Sequence, residues 1–267
     1  HGAFPSAAII HAVGSAVAIV LCACQRDKRR ILGQGPLWIY LGGAIGVATT
    51  VFQALAFARI GMTSIVALGL LGQTVTSLLF DSFGLFGMSR NAFHKEDLPG
   101  LALSFAGISL MLDASLTASA ALAIVMSFAA GVTVVLSRTV NARLAERVGA
   151  LRSSLVAHLV GLPITVVLAL AVAGASAFQG LASPGPAWMY LGGALGVLVI
   201  LLCNVTVPKV PAYLLTVLTF VGQVFTGVAL DLLSGSALLD STFLGGLVIA
   251  AGIALNFLLE HHAARKA

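Results

Sequence analysis

Nine long apolar runs dominate the sequence, at about 5–24, 36–58, 62–82, 98–113, 118–137, 152–174, 186–207, 212–232 and 243–259. About 20 helical residues cross the hydrocarbon core of a bilayer, so these runs read as membrane spans, the shortest being 98–113. Composition removes the soluble alternative. Only 9% of the 267 residues are charged and 59% are hydrophobic, with a mean hydropathy of +1.07. A soluble domain carries about a quarter charged residues, and a chain this poor in charge could not cover its surface in water. The expected fold is an all-α polytopic membrane protein. Its 29 glycines suit helices packed closely in lipid. Ala7–Cys24 does not read as a signal peptide, because its basic cluster follows the apolar run.

The charges between the runs set the orientation. Arg26, Lys28, Arg29 and Arg30 follow the first run, and Arg90 and Lys95 follow the third. Arg138, Arg143, Arg147 and Arg152 follow the fifth, Lys209 the seventh, and Arg265 and Lys266 the last. The intervening loops hold Arg59 alone. Assigning alternate loops to alternate sides thus puts thirteen Lys/Arg on one face and one on the other. By the positive-inside rule the crowded face is cytoplasmic, which places His1 outside and the C-terminus inside. The net charge of +5 is therefore orientational, and no nucleic-acid partner is expected. Cys22, Cys24 and Cys203 lie in or at the ends of apolar runs, match no zinc or redox spacing, and read as small packing residues.

The chain also repeats itself. "GPLWIYLGGAIGV" from Gly35 returns as "GPAWMYLGGALGV" from Gly185, and fifteen of forty-seven ungapped positions through Asp81 and Asp231 are identical. "SAAIIHAVG" (6–14) aligns with "SSLVAHLVG" (153–161), pairing His11 with His158, and "GLALSFAGI" (100–108) aligns with "GGLVIAAGI" (245–253). The unit is five helices, and five is odd, so the second copy runs through the membrane in the opposite sense. Inverted-topology repeats of this kind build many secondary transporters, with a site near the midplane. The first repeat spans 1–115 and the second 116–267. The run at 118–137 has no counterpart in the first half, so nine spans stand where ten are expected and the first helix of repeat 1 is read as absent.

A five-plus-five inverted repeat resembles the drug/metabolite transporter superfamily. "PLWIYLGGAIGV", "GQTVTSLLFDSFGLFG" and "GGALGV…GQVFTGVALDLLSG" are similar to its EamA-related, YdcZ-like branch of bacterial inner-membrane proteins. The resemblance covers essentially the whole chain. It implies alternating-access movement of a small solute, often export, with no cofactor. One departure concerns coupling. Related small multidrug carriers keep a membrane-embedded Glu in the helix read as absent here, and its second-half equivalent, "LAIVMSFAAGVTVVLS", has no acidic residue. Proton coupling through that device is not implied.

Polar groups within hydrocarbon are costly and usually face the bundle interior. Gln73 and Gln223 fall near the centres of their runs and either line a cavity for a polar solute or join two helices. Asn204, opposite Ala54 in the repeat, is a third cavity candidate. His11 and His158 are the ionisable side chains set clearly inside apolar runs. They can carry coupled protons or act in gating, or be neutral rings bonded to a neighbouring carbonyl. Asp81 and Asp231 end the glutamine-bearing runs, which pairs His158 with Asp81 near the inner face and His11 with Asp231 near the outer face as expected gates. Gly42/Gly46 and Gly192/Gly196, each four apart, have helix-packing spacing. Trp38, Tyr40, Trp188 and Tyr190 fit interfacial anchoring.

The leading expectation is a secondary transporter with a small-molecule solute and the lipid bilayer as its partners. No catalytic or metal-binding residue is assigned. The rivals are a non-transporting or truncated membrane subunit and, further off, a membrane-embedded enzyme. Against the enzyme stands the lack of H-E-x-x-H, nucleophile-elbow and Walker sequences. The sequence indicates no particular oligomer.

Overall fold

The computed structural model of the protein describes residues 2–25, 30–57, 59–60, 62–91, 95–112, 120–182, 186–234 and 241–264. Among these there are nine α-helices and no strand: α1 (Ala3–Cys24), α2 (Gly42–Phe57), α3 (Met62–Phe83), α4 (Leu98–Met111), α5 (Ala121–Val148), α6 (Ala150–Ala173), α7 (Leu191–Thr206), α8 (Ala212–Ser234) and α9 (Ser241–Ala264). Each corresponds to one apolar run. Their outer surfaces are themselves apolar, with Val20, Val167 and Val172 62%, 64% and 67% exposed. In lipid this is no liability, and a helix meets the requirement that backbone polar groups be satisfied internally. The chain is an all-α polytopic membrane protein.

The one large departure from the hydropathy reading is α5. The apolar run stops at 137, yet the helix continues to Val148 and carries Arg138, Arg143 and Arg147. After 137 the residues are mostly good helix formers, with no Gly or Pro before Gly149, and Arg143 pairs with Glu146 one turn on at 2.6 Å. Gly149, at φ 93°, then ends it in a conformation that favours glycine. Hydropathy marks where a helix leaves the membrane, whereas capping marks where it stops.

The echo that opens α2 and α7 is structural too. Pro36 and Pro186 sit in extended backbone, and a single 3₁₀ turn follows each, Leu37–Tyr40 and Ala187–Tyr190, before the α-helix begins. Tyr40 does more than anchor. Its hydroxyl donates to the Ile31 carbonyl (2.7 Å) and accepts from the Gln34 N–H (3.1 Å), which ties down the preceding loop.

The chain divides into two compact units, residues 1–54 with 133–209 and residues 55–132 with 210–267. The sequence repeats divide near 115; the compact units instead interleave the repeats, each taking helices from both. The turn in which Pro208 and Pro211 flank Lys209 carries the chain from the first unit to the second.

In the first unit α1 packs on α6 and α7, and α6 on α7. Ala18, Leu151, Leu155 and Val197 form one apolar centre there. In the second unit α4 packs on α9, and α3 on α8, around Ala67, Leu70, Ile108, Met111, Val217, Phe220, Val224 and Ile249. These are repeat-mates, and they run antiparallel. A Cβ on Gly107 of α4 would stand 2.5 Å from the Gly245 carbonyl oxygen of α9, while one on Gly252 would stand 2.9 Å from that of Gly100. The early residue of one helix thus meets the late residue of the other.

Candidate transport site

The polar side chains inside the spans fall into two groups, one in each unit. In the first unit α1 and α6 cross at their histidines. His11 and His158 are each the ninth residue of their helix, and their ring centroids lie 5.7 Å apart with planes inclined at 55°. Each Nδ1 lies 2.8 Å from the carbonyl oxygen four residues earlier, Ala7 for His11 and Ser154 for His158. A carbonyl can only accept, so Nδ1 carries the hydrogen in both rings and Nε2 is left for other business.

The rings fit because each opposing helix has a glycine in the right place. A Cβ on Gly14 would overlap the His158 ring at its Cδ2–Nε2 edge, and one on Gly161 would overlap the His11 ring at the same edge. The motif is His-x-x-Gly in both repeats, and each ring fills the notch made by the other helix. His158 is buried at 3% exposure, whereas His11 is half-buried. Gly196 of α7 closes over the His158 side, its Cβ position 3.3 Å from Nε2.

The histidines of the expected gate pairs meet each other. Asp81 belongs to the second unit and has both oxygens engaged: Oδ1 accepts from the Ala212 N–H and Oδ2 from the Tyr213 N–H, each at 2.8 Å. Those amides open α8, where N–H groups lack intrahelical partners and the helix dipole favours an anion. Asp81 therefore caps a neighbouring helix. The strut continues through Ser77 and Thr216, whose hydroxyls are 2.8 Å apart, and through Tyr213 and Ser104, 3.2 Å apart. Asp231 lies in α8, but its side chain is outside the described residues.

The glutamines sit in unequal surroundings: Gln73 is half-buried on α3 and Gln223 is exposed on α8. At Gln73, α3 and α5 touch backbone to backbone, with a Cβ on Gly131 directed at the Gly69 carbonyl and 2.7 Å from the Gln73 nitrogen. Asn204 is buried in the first unit, where Nδ2 donates to the Ala150 carbonyl at 2.9 Å and Oδ1 has no hydrogen-bond partner.

Among the packing glycines, Gly42 lies against the Asn141 side chain and Gly46 near Ser137, while Gly192 lies near Ile10. The tightest approaches are one residue on from the first member of each pair. Gly43 faces the Ala157 carbonyl of α6, and Gly193 faces Val13, the Gly14 nitrogen and the Ile10 carbonyl of α1. Ala157 and Ile10 are repeat equivalents, so the two crossings are one crossing made twice. The doubled glycine carried that signal in the sequence. Among the described residues no group of three or more His, Cys, Asp or Glu could hold a metal ion.

An apolar helical bundle whose repeat-mates pair antiparallel in each unit defines the class: a polytopic membrane protein of inverted-repeat architecture. A family model described as "Putative inner membrane exporter, YdcZ", of the drug/metabolite transporter group, matches residues 1–110 and 122–255, and the chain belongs to that family. A solved structure described as "Crystal structure of protein" has the same fold, with a TM-score of 0.74 at 17% identity over 96% of this chain and 88% of that one. No curated protein matches the chain.

Proposed function

We propose that the protein is a secondary active transporter that moves a small polar or amphipathic solute outward across a bacterial inner membrane by alternating access. The observation that carries this reading is the antiparallel pairing of repeat-mates, α1 with α6, α3 with α8 and α4 with α9. Two copies of one structure in opposite senses give a protein two related ways of closing, one toward each side, which is the physical basis of alternating access. Membership of an inner-membrane exporter family supports the outward direction. The C-terminus lies in the cytoplasm, as the basic loops require.

Gln73 and Gln223 are the amides that meet the solute in this reading, each offering donors and an acceptor near mid-span. In the first unit Asn204 offers an acceptor, one of its amide hydrogens being used on Ala150. The glycines at 42, 46, 192 and 196 keep the helices close enough to slide. Asp81 acts from behind, by holding the start of α8 on the end of α3.

The test is flux. Proteoliposomes of the purified chain are loaded with a bacterial small-molecule extract, and the external medium is followed by mass spectrometry under an imposed pH gradient. One or a few solutes should leave at least tenfold faster than from protein-free vesicles. Equal loss of every solute from both would overturn the reading.

A further inference from the structure

The histidines at the crossing of α1 and α6 have a property that neither has alone: each is the other's repeat equivalent, and they are in contact. A residue that meets its own copy marks the local pseudo-twofold axis, the place that is equally far from both closures of an inverted repeat. Both Nδ1 atoms are committed to carbonyls four residues back, so any further proton must go on Nε2. Each Nε2 is turned into the glycine notch of the opposite helix, toward Gly161 for His11 and toward Gly14 for His158.

The charged and titratable groups on the elements packed around them are few. On α6 itself there is Arg152, six residues from His158; on α1, Cys22 and Cys24 at the far end; on α7, Cys203. The 3₁₀ turns beside α6 and α1 carry Tyr40 and Tyr190. The C-terminal half of α5 carries Arg138, Arg143, Arg147 and Glu146, the only carboxylate among the described residues of this unit, which is paired with Arg143. Among the described residues of these elements no acid besides Glu146 is there to balance two charges. With centroids 5.7 Å apart, a proton on one ring weakens binding to the other by about a hundredfold at an effective dielectric constant of about 20. The pair therefore holds one proton or none.

We propose that His11 and His158 form a single proton site at the centre of the first unit, loaded through the half-exposed His11 and emptied through the buried His158, and that this site couples solute export to inward proton movement. The coupling role rests on the transporter reading above; the one-proton site does not. The transfer breaks an N–H bond at His11 Nε2 and forms one at His158 Nε2, with no change in oxidation state. The two rings exchange loaded and empty roles as the repeats exchange closures. A proton thus crosses the midplane without the embedded carboxylate of related small carriers.

Two experiments on the full chain use the proton as probe. In lipid nanodiscs, nitrogen-15 NMR of labelled histidine should show the two rings taking up one proton between them from pH 8 to 5. His11→Gln should move the His158 midpoint by at least threefold in proton concentration. Two rings that each take a full proton, with His158 indifferent to His11→Gln, would overturn the proposal; the wild-type titration decides this even if a variant fails to fold. On a solid-supported membrane, a pH jump should displace charge in wild-type proteoliposomes. His11→Gln and His158→Gln should each reduce that charge at least tenfold, and Gly222→Ala should leave it unchanged. Wild-type charge in both histidine variants would overturn the relay. One-proton behaviour without any solute flux would contradict the transporter reading and leave the proton site standing.

Discussion

At the scale of the residue, the site is built from what glycine omits. Gly14 and Gly161 have no Cβ, and a histidine ring from the partner helix occupies each vacant place. Substituting Gly14 by Ala drives a methyl group against the edge of the His158 ring, a form of overpacking that costs about 1–3 kcal/mol. Gly14→Ala and Gly161→Ala should each lower the midpoint of thermal or SDS unfolding, followed by helical circular dichroism, by an amount in that range. Gly222, with nothing within 4 Å of its Cβ position, is the control and should tolerate Ala without loss. Equal midpoints for Gly14→Ala and Gly222→Ala would contradict the packing described for the histidines. The residue scale is also where sequence reasoning reached least far. Depth in the membrane suggested pairing each histidine with an aspartate. Depth says nothing about which way a side chain points around its helix, and each histidine ring points into the glycine notch of the other's helix. The signal available was the repeat itself, because equivalent residues near a twofold axis meet each other. Asp81 was legible as a buried acid at a helix end. Its partners, the unpaired amides that begin α8 after Pro211, were legible only to a count of unsatisfied helix termini.

At the scale of the element, hydropathy and punctuation divide the work. All nine spans were readable because each run of apolar residues is bounded by charge, Gly or Pro. The length of α5 was not, because its last turns are polar helix formers held by Arg143 and Glu146 and closed by Gly149. The doubled glycines at 42–43 and 192–193 show the same limit. Spacing by four identifies a packing stripe, but the deepest approach goes to the residue that faces the neighbouring backbone. Gly43 faces a carbonyl of α6, which cannot rotate away, whereas a Cβ on Gly46 would meet the Ser137 oxygen at 3.4 Å. Gly43→Ala should therefore destabilise the protein by about 1–3 kcal/mol and Gly46→Ala by under about 0.5 kcal/mol, read from the same unfolding midpoints. The matching pair in the second repeat should behave alike, with Gly193→Ala worse than Gly196→Ala. A larger loss at Gly46 than at Gly43 would count against the crossing geometry.

At the scale of the whole molecule, the repeat is the organising fact. It was legible because five helices separate the two copies, and an odd number reverses direction. The repeats do not fold into two separate bodies in chain order. Each compact unit joins a piece of one repeat to the matching piece of the other: His11 meets its own equivalent, His158, while Gly100 and Gly107 each meet the equivalent of the other, Gly252 and Gly245. No local pattern predicts that interleaving, since it depends on which surfaces find each other after the helices have formed. The proposed functional consequence is two-sided access to one site, and a cysteine at mid-span tests it directly. In a background with Cys22, Cys24 and Cys203 replaced by Ala, Gln73→Cys is exposed to a membrane-impermeant maleimide, added from one side or the other of oriented vesicles. Labelling from either face is the expected result. Labelling from one face alone, or from neither, would contradict alternating access at Gln73.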